Sequence, residues 1–350
     1  MDRYRIWGAC CALLSTLLLT VMSCPGAAAA VLSRAPTQDG ARPQRSSVEY
    51  GLSWGVSASR ADLAYRKGAT GRGVIVAMID TGVDAASALL FNHLAPASID
   101  LVADREVDAG DHRHGAQTAS VLAGRVDGAG TFGIAYDATL LSIRADRSGS
   151  CLKTCAFDPA VLARAIDYAV DNGASVIGMP MASRRRIPAI EQALERAVAR
   201  GAVIVAAAGN DGGEHPVWPG RYAADPRFAH SMIVAGATNL RGNLANWSNR
   251  AGVTQDQYVA APGESVVVDC GMRSCSLTSG TSYSVAYVAG AVALLLSRAP
   301  ELSGRQVTLA LLRNTDDLAK PGVDPLTGRG RLDVSRALRA LDREIRADRG

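Results

Sequence analysis

Thr278-Ser-Gly-Thr-Ser-Tyr-Ser-Val-Ala-Tyr-Val-Ala-Gly-Ala-Val-Ala-Leu-Leu-Leu-Ser297 opens with small polar residues and then stays apolar for twelve residues, Val285 to Leu296, around Gly290. That run is too short to span a bilayer, which takes about 20 residues. It is long enough for a helix buried on all sides. Entry through Gly280-Thr281 puts Ser282 at the helix N-terminus. Unpaired backbone N–H groups and the positive end of the helix dipole gather there and can stabilise a developing oxyanion. Ser282 is therefore a candidate nucleophile, and the competing reading is that Thr281 or Ser282 simply caps the helix.

A helix buried all round needs covering layers, and the chain before it supplies them. Val74-Ile-Val-Ala-Met-Ile79 is continuously apolar and rich in β-branched residues, as in a strand covered on both faces. Ala138 to Ile143, Ala174 to Met179, Ala202 to Ala208, Met232 to Ala237 and Gln257 to Ala261 read the same way. Helical faces alternate with them. One is Val161, Leu162, Ala165, Ile166, Ala169 and Val170 behind an Asp158-Pro159 start, and another is Ile190, Ala193, Leu194, Ala197 and Val198. Tyr50 to Lys67 also has helical spacing, and Ser303 to Asn314 and Val334 to Leu341 predict terminal helices. The implied fold is α/β, three-layered, with a central mostly parallel sheet and helices on both faces. Asp80 ends the first strand, where open α/β sheets place their sites, although a turn aspartate is equally common there.

The chain has 350 residues, 48% of them hydrophobic, enough for a full core. A formal charge of +4 gives no reason to expect a nucleic-acid or membrane partner. Residues 1–30 read as a secretory signal: Arg3 and Arg5, an apolar run from Ile6 to Met22, then Ala28-Ala29-Ala30. A membrane anchor, or lipidation at Cys24 after Val21-Met22-Ser23, is the alternative. Residues 31–49 are polar and predict a flexible leader, leaving 50–350 as one domain. Four cysteines lie beyond the signal: Cys151, Cys155, Cys270 and Cys275. In an oxidising compartment the local pairs 151–155 and 270–275 are the simplest bridges. Zinc is the rival, but neither spacing is Cys-x-x-Cys and no histidine is near either pair in sequence.

Asp111-His-Arg-His114-Gly-Ala-Gln-Thr-Ala-Ser-Val-Leu-Ala-Gly124 places His114 before a small-residue helix. His112 and His114 are a possible metal pair with no third ligand in view. Asp80, His114 and Ser282 then stand in the order Asp, His, Ser. The words around them, Val-Ala-Met-Ile-Asp80-Thr-Gly, His114-Gly, Ala-Ala-Ala-Gly-Asn210 and Ser-Gly-Thr-Ser282, resemble the motifs of subtilisin-like serine proteases. Ala135 to Asp146 and Gly322 to Gly330 are similar to the bacterial autotransporter type, without its membrane barrel. The resemblance covers roughly residues 50 to 340.

It implies an exported serine endopeptidase acting on peptide or protein substrates. Ser282 is the expected nucleophile, His114 the base, Asp80 its orienting carboxylate and Asn210 the oxyanion donor. Met179, Met181, Ala208, Gly209 and Val217 are the expected substrate-binding residues. Val217 at the pocket floor implies an apolar residue before the cut bond. No cofactor is implied. Structural calcium occurs in the family, but the loop from Arg125 to Gly133 offers one carboxylate and supports no such site. The space before Tyr50 leaves no room for an inhibitory pro-domain.

The chain also departs from the family pattern. Met179-Pro180-Met181-Ala182 stands where the family has Met-Ser-Leu-Gly, and Ala286-Tyr287 where it has Pro-His. These departures motivate a second reading, a weakened subtilase fold that binds or scaffolds. An α/β-hydrolase esterase fits worse, because Ser282 lacks the Gly-x-Ser-x-Gly elbow and the order of the three residues is wrong.

Overall fold

Seven strands pair in parallel in the order β2-β3-β1-β4-β5-β6-β7. They are β1 Ile75–Asp80, β2 Ile99–Asp100, β3 Thr139–Arg144, β4 Val176–Met179, β5 Val203–Ala207, β6 Met232–Thr238 and β7 Tyr258–Pro262. The computed structural model describes residues 42–84, 87–102, 113–152, 155–270 and 274–347. The expected signal, most of the expected leader and His112 lie outside them. All described residues fall in one unit, 39–350.

Alternation along the strands builds the two covering layers. In β5, Val203, Val205 and Ala207 face one core while Ile204 and Ala206 face the other. The first core holds α4 (Arg113–Ala123), α7 (Thr281–Arg298), α8 (Gly304–Leu312) and α9 (Val334–Ala347). The second holds α5 (Pro159–Asp171) and α6 (Glu191–Ala199). Asp158 caps α5 as expected, accepting from the N–H of Ala160 at 2.8 Å. Ser303 and Gln306 form a reciprocal capping box on α8.

α7 is the centre of the molecule. It touches β4, β5, β6, β7 and α4, and every residue from Tyr283 to Leu296 is buried. Its buried serine and threonine hydroxyls near the N-terminus are partnered. Ser284 Oγ, for example, donates to the Ala261 carbonyl at 3.1 Å. The helix runs unbroken through Ala286, where the family pattern has proline.

Three features differ from the sequence reading. Tyr50 to Lys67 is three short helices, α1 (Val48–Leu52), α2 (Trp54–Ala58) and α3 (Asp62–Tyr65). Arg60 turns the chain at φ 54°, and Asp333 holds its guanidinium at 2.6 Å. Apolar spacing cannot separate one helix from several short ones packed on a common core. Second, the packed chain begins before Tyr50: Ser47 caps α1, and the buried Glu49 carboxylate accepts from the N–H groups of Asp127 and Gly128. Third, an antiparallel hairpin, β8 (Val266–Val268) and β9 (Ser276–Thr278), leads into α7. Its strands are too short to stand out in the sequence. The structure joins Cys151 to Cys155 and Cys270 to Cys275. Among the described residues no helix is long and apolar enough to cross a membrane.

Gly290 marks where α7 approaches its neighbours. A Cβ there would run into the Ile134 Cγ2 methyl. Helix propensity favours alanine over glycine by about 1 kcal/mol, but overpacking costs about 1–3 kcal/mol. We expect Gly290→Ala to lower the thermal midpoint, and Ile134→Ala to cost less in that background than in the parent protein. Differential scanning calorimetry of the four proteins checks both.

Candidate active site

Asp80 ends β1 with 2% of its surface exposed. Its Oδ1 accepts from the Thr81 N–H at 2.7 Å and lies 2.7 Å from His114 Nδ1. Its Oδ2 accepts from Thr118 Oγ1 at 2.7 Å. An ionised carboxylate only accepts, so Nδ1 carries a proton and Nε2 is the free position of the neutral ring. Burial works to lower the His114 pKa, but the Asp80 charge and hydrogen bond outweigh it, and the net shift is upward.

His114 lies in the first turn of α4, with 36% of its side chain exposed. The turn is fixed by the Gly115 N–H, which donates to Thr81 Oγ1 at 2.9 Å. Only glycine fits at 115, because a Cβ would strike the Gly82 backbone.

Ser282 is the second residue of α7, and its Oγ donates to the Pro180 carbonyl at 3.0 Å. The His114 ring lies 6.3 Å, centroid to centroid, from that of Tyr283. Asn210 follows β5. Its Oδ1 accepts from both the backbone N–H and the hydroxyl of Thr281, each at 2.9 Å. With its oxygen pinned, the amide must turn its NH₂ away from Thr281. Asp80, Pro180 and Asn210 thus come from the carboxyl ends of β1, β4 and β5, three adjacent strands, with Ser282 over them.

The expected substrate-binding residues lie along one edge beside Ser282. Met179 buries its side chain completely in the core shared with α5 and α6, and Met181 nearly so. Ser183 pairs with Trp218, N–H to carbonyl at 2.7 and 2.9 Å in the two directions. The Val217 N–H donates to the Ala208 carbonyl at 2.9 Å. Gly209 sits at φ 108°, where a Cβ would press on Val217 and Asn249. The Trp218–Pro219 bond is cis. A cavity of about 300 Å³ opens between Phe157, Met181, Ala182, Ser183, Ile187 and Trp218. Arg186 stacks 5.9 Å over the Trp218 ring and pairs with Glu191, while Arg184 is 83% exposed.

Residues 71–330 match the family model described as the subtilase family, peptidase S8. The chain belongs to the subtilase family. Subtilisin Savinase of Lederbergia lenta is 30% identical over 289 residues, 82% of this chain and 98% of that one. An alkaline protease of Alkalihalobacillus alcalophilus is 30% identical over 82% of this chain and 70% of its own. Among solved structures, the prenylagaramide maturation protease PagA superposes with a TM-score of 0.64 at 24% identity, covering 80% of this chain and 98% of that chain. The PatA protease domain gives 0.64 at 24%, over 78% and 96%. At that identity the two structures show the fold alone. This subtilase is a serine endopeptidase, and peptides or proteins are its substrates.

Sequence reasoning did not find Thr81 or Thr118 as site groups in this subtilase; it kept the Pro180 carbonyl for the substrate strand but did not foresee its bond with Ser282. Thr118 was legible in principle, as a hydroxyl four residues after His114 and therefore on its helix face. The Ser282–Pro180 bond carries no sequence signal. Among the described residues no group of three or more His, Cys, Asp or Glu side chains is arranged to hold a metal ion. In the loop raised for calcium, Arg125 Nε pairs with Asp127 at 3.0 Å.

Hydrogen bonds to a charged group are worth about 1.5–3 kcal/mol. We expect Thr118→Val to lower kcat roughly tenfold, with KM unchanged and the fold retained. Steady-state hydrolysis of a chromogenic peptide, with circular dichroism of the variant, checks this.

Proposed function

We infer that this subtilase is an exported endopeptidase working through Ser282, His114 and Asp80. The observation that carries the reading is the buried Asp80 carboxylate, bound to His114 Nδ1 and held by Thr81 and Thr118. A side chain so restrained fixes the imidazole with Nε2 as its acceptor. Ser282 Oγ attacks the scissile carbonyl, its proton passes to His114 Nε2, and the resulting imidazolium is stabilised by Asp80. The leaving amine takes that proton, and water attacks the acyl-enzyme by the same route. Asn210 Nδ2 and the Ser282 N–H hold the oxyanion. The fixed orientation of the Asn210 amide and the place of Ser282 in the first turn of α7 support this role.

The substrate lies as an added strand along residues 179–183. The Pro180 carbonyl is the natural acceptor for a substrate N–H, so losing the N–H of residue 180 removes nothing the substrate needs. Val217, with Ala208 and Gly209, lines an apolar pocket for the residue before the cut bond. The charged start and apolar run of residues 1–30 support export.

A second reading has its own observation: the Ser282 hydroxyl is donated to Pro180, not to His114. A hydroxyl has one proton to give, and a fold kept only for binding has no need to free it. A fluorophosphonate probe separates the two readings. We expect the purified protein to be labelled and Ser282→Ala not. No labelling of either selects the scaffold reading.

The direction of the His114 shift sets the pH profile. Imidazolium cannot accept the Ser282 proton, so kcat/KM rises as pH passes upward through the His114 pKa. That midpoint is expected above the ordinary imidazole value of 6.5. Asp80→Asn removes the raising charge while burial persists. The limb then moves to lower pH and kcat falls by about 10⁴. A pH–rate profile of the two proteins measures both.

A further inference from the structure

Ser282 and His114 stand on different helices, and one polar chain ties the two together outside the Asp80 cluster. Tyr283, the residue after Ser282, is buried, and its hydroxyl donates to Gln117 Oε1 at 2.7 Å. Gln117 lies three residues after His114 on α4, so both project from one side of that helix. The other end of the Gln117 amide, Nε2, donates to the Asp269 carboxylate. Arg113 Nε, on the other side of His114 in the chain, donates to the same Asp269 oxygen at 3.1 Å. Asp269 therefore grips the first turn of α4 at residues 113 and 117, on either side of His114.

Asp269 is itself held in an unusual backbone state. It follows β8 at φ 50°, a left-handed conformation that a non-glycine residue holds only when its surroundings enforce it. The next residue is Cys270, whose bridge to Cys275 closes the β8–β9 hairpin. The hairpin then returns to the site. Thr278, the last residue of β9, donates from Oγ1 to the Tyr283 hydroxyl at 3.1 Å, four residues before Ser282. The circuit runs from the hairpin through Asp269 to α4, through Gln117 to α7, and through Thr278 back to the hairpin. Cys275 is exposed to solvent.

Resting on the function inferred above, we propose that Asp269, Gln117 and Tyr283 are positioning residues and that the Cys270–Cys275 bridge makes the positioning redox-sensitive. A dithiol reductant attacks the exposed bridge. The S–S bond breaks, Cys270 and Cys275 each gain a proton and an electron, and the dithiol closes to its own disulfide. Without the bridge, Asp269 relaxes out of its left-handed state and releases Arg113 and Gln117. His114 then loses its register with Ser282, and a small misplacement lowers the rate of the chemical step without weakening substrate binding. The edge at residues 179–183 is untouched.

The test uses the full chain carrying Cys151→Ser and Cys155→Ser, so that the hairpin bridge is the one reduced among the described residues. Peptide hydrolysis is measured before and after treatment with dithiothreitol, with thiol counting to establish reduction. We expect kcat to fall about tenfold or more, with KM within a factor of two. Tyr283→Phe and Gln117→Leu are expected to show the same split while oxidised and to respond little to the reductant, because the circuit is already open. Asp269→Asn, which still offers an acceptor to Gln117, is expected to keep most of the kcat that Asp269→Ala loses. Reduction that lowers only the thermal midpoint, or that lowers kcat in Gln117→Leu by the full factor, overturns the proposal. Fluorophosphonate labelling of the oxidised protein distinguishes the two failures. Absence of labelling removes the underlying function, whereas labelling at a rate indifferent to reduction removes the positioning circuit alone.

Discussion

A carboxylate taken out of water must be met by donors, because an unpaired buried charge costs several kcal/mol. Asp80 is almost wholly buried, and its donors come from two places: the strand end at Thr81 and the helix α4 at His114 and Thr118. This requirement sets where α4 lies against β1, to within hydrogen-bond tolerance. Thr81 reinforces it by accepting the Gly115 N–H. The imidazole is thereby placed by the same bonds that satisfy the anion, and the geometry of the site and its local stability have one cause.

The second constraint is steric. α4 and α7 each approach a neighbouring loop closely because a glycine stands at the contact. Gly115 lies against the Gly82 backbone, and Gly290 lies against Ile134. α7 then fills the space over β4, β5, β6 and β7 with an uninterrupted apolar surface. Its N-terminus emerges over the carboxyl ends of β4 and β5, beside Pro180 and Asn210. A buried helix holds its first turn, and Ser282 with it, more rigidly than a surface loop would.

Much of this was legible in the residues. Strands buried on both faces announce themselves as unbroken β-branched runs, and β1, β5 and β6 did so within a residue or two. The helix of Val285 to Leu296 was readable because nothing else buries twelve apolar residues in a row. Asp80, His114 and Ser282 stood out through local words and order, and the structure brings Asp80 and His114 together directly. What escaped lacked a periodic or compositional trace. The bond from Ser282 to the Pro180 carbonyl joins residues 102 apart, and no local pattern records it. The break of residues 48–65 into three helices depends on Arg60 finding Asp333, 273 residues away. The β8–β9 hairpin has three-residue strands, below the length at which alternation becomes visible.

The order of the elements also has a meaning in time. The helix that fills the middle of the sheet comes from the last quarter of the chain, whereas Asp80 and His114 come from the first third. As the polypeptide emerges from the ribosome, its early strands carry an apolar face with no cover, and Ser282 does not yet exist. Contacts this distant in sequence form slowly and late. The cover that α7 gives those strands therefore arrives late, after every strand of the sheet has been made.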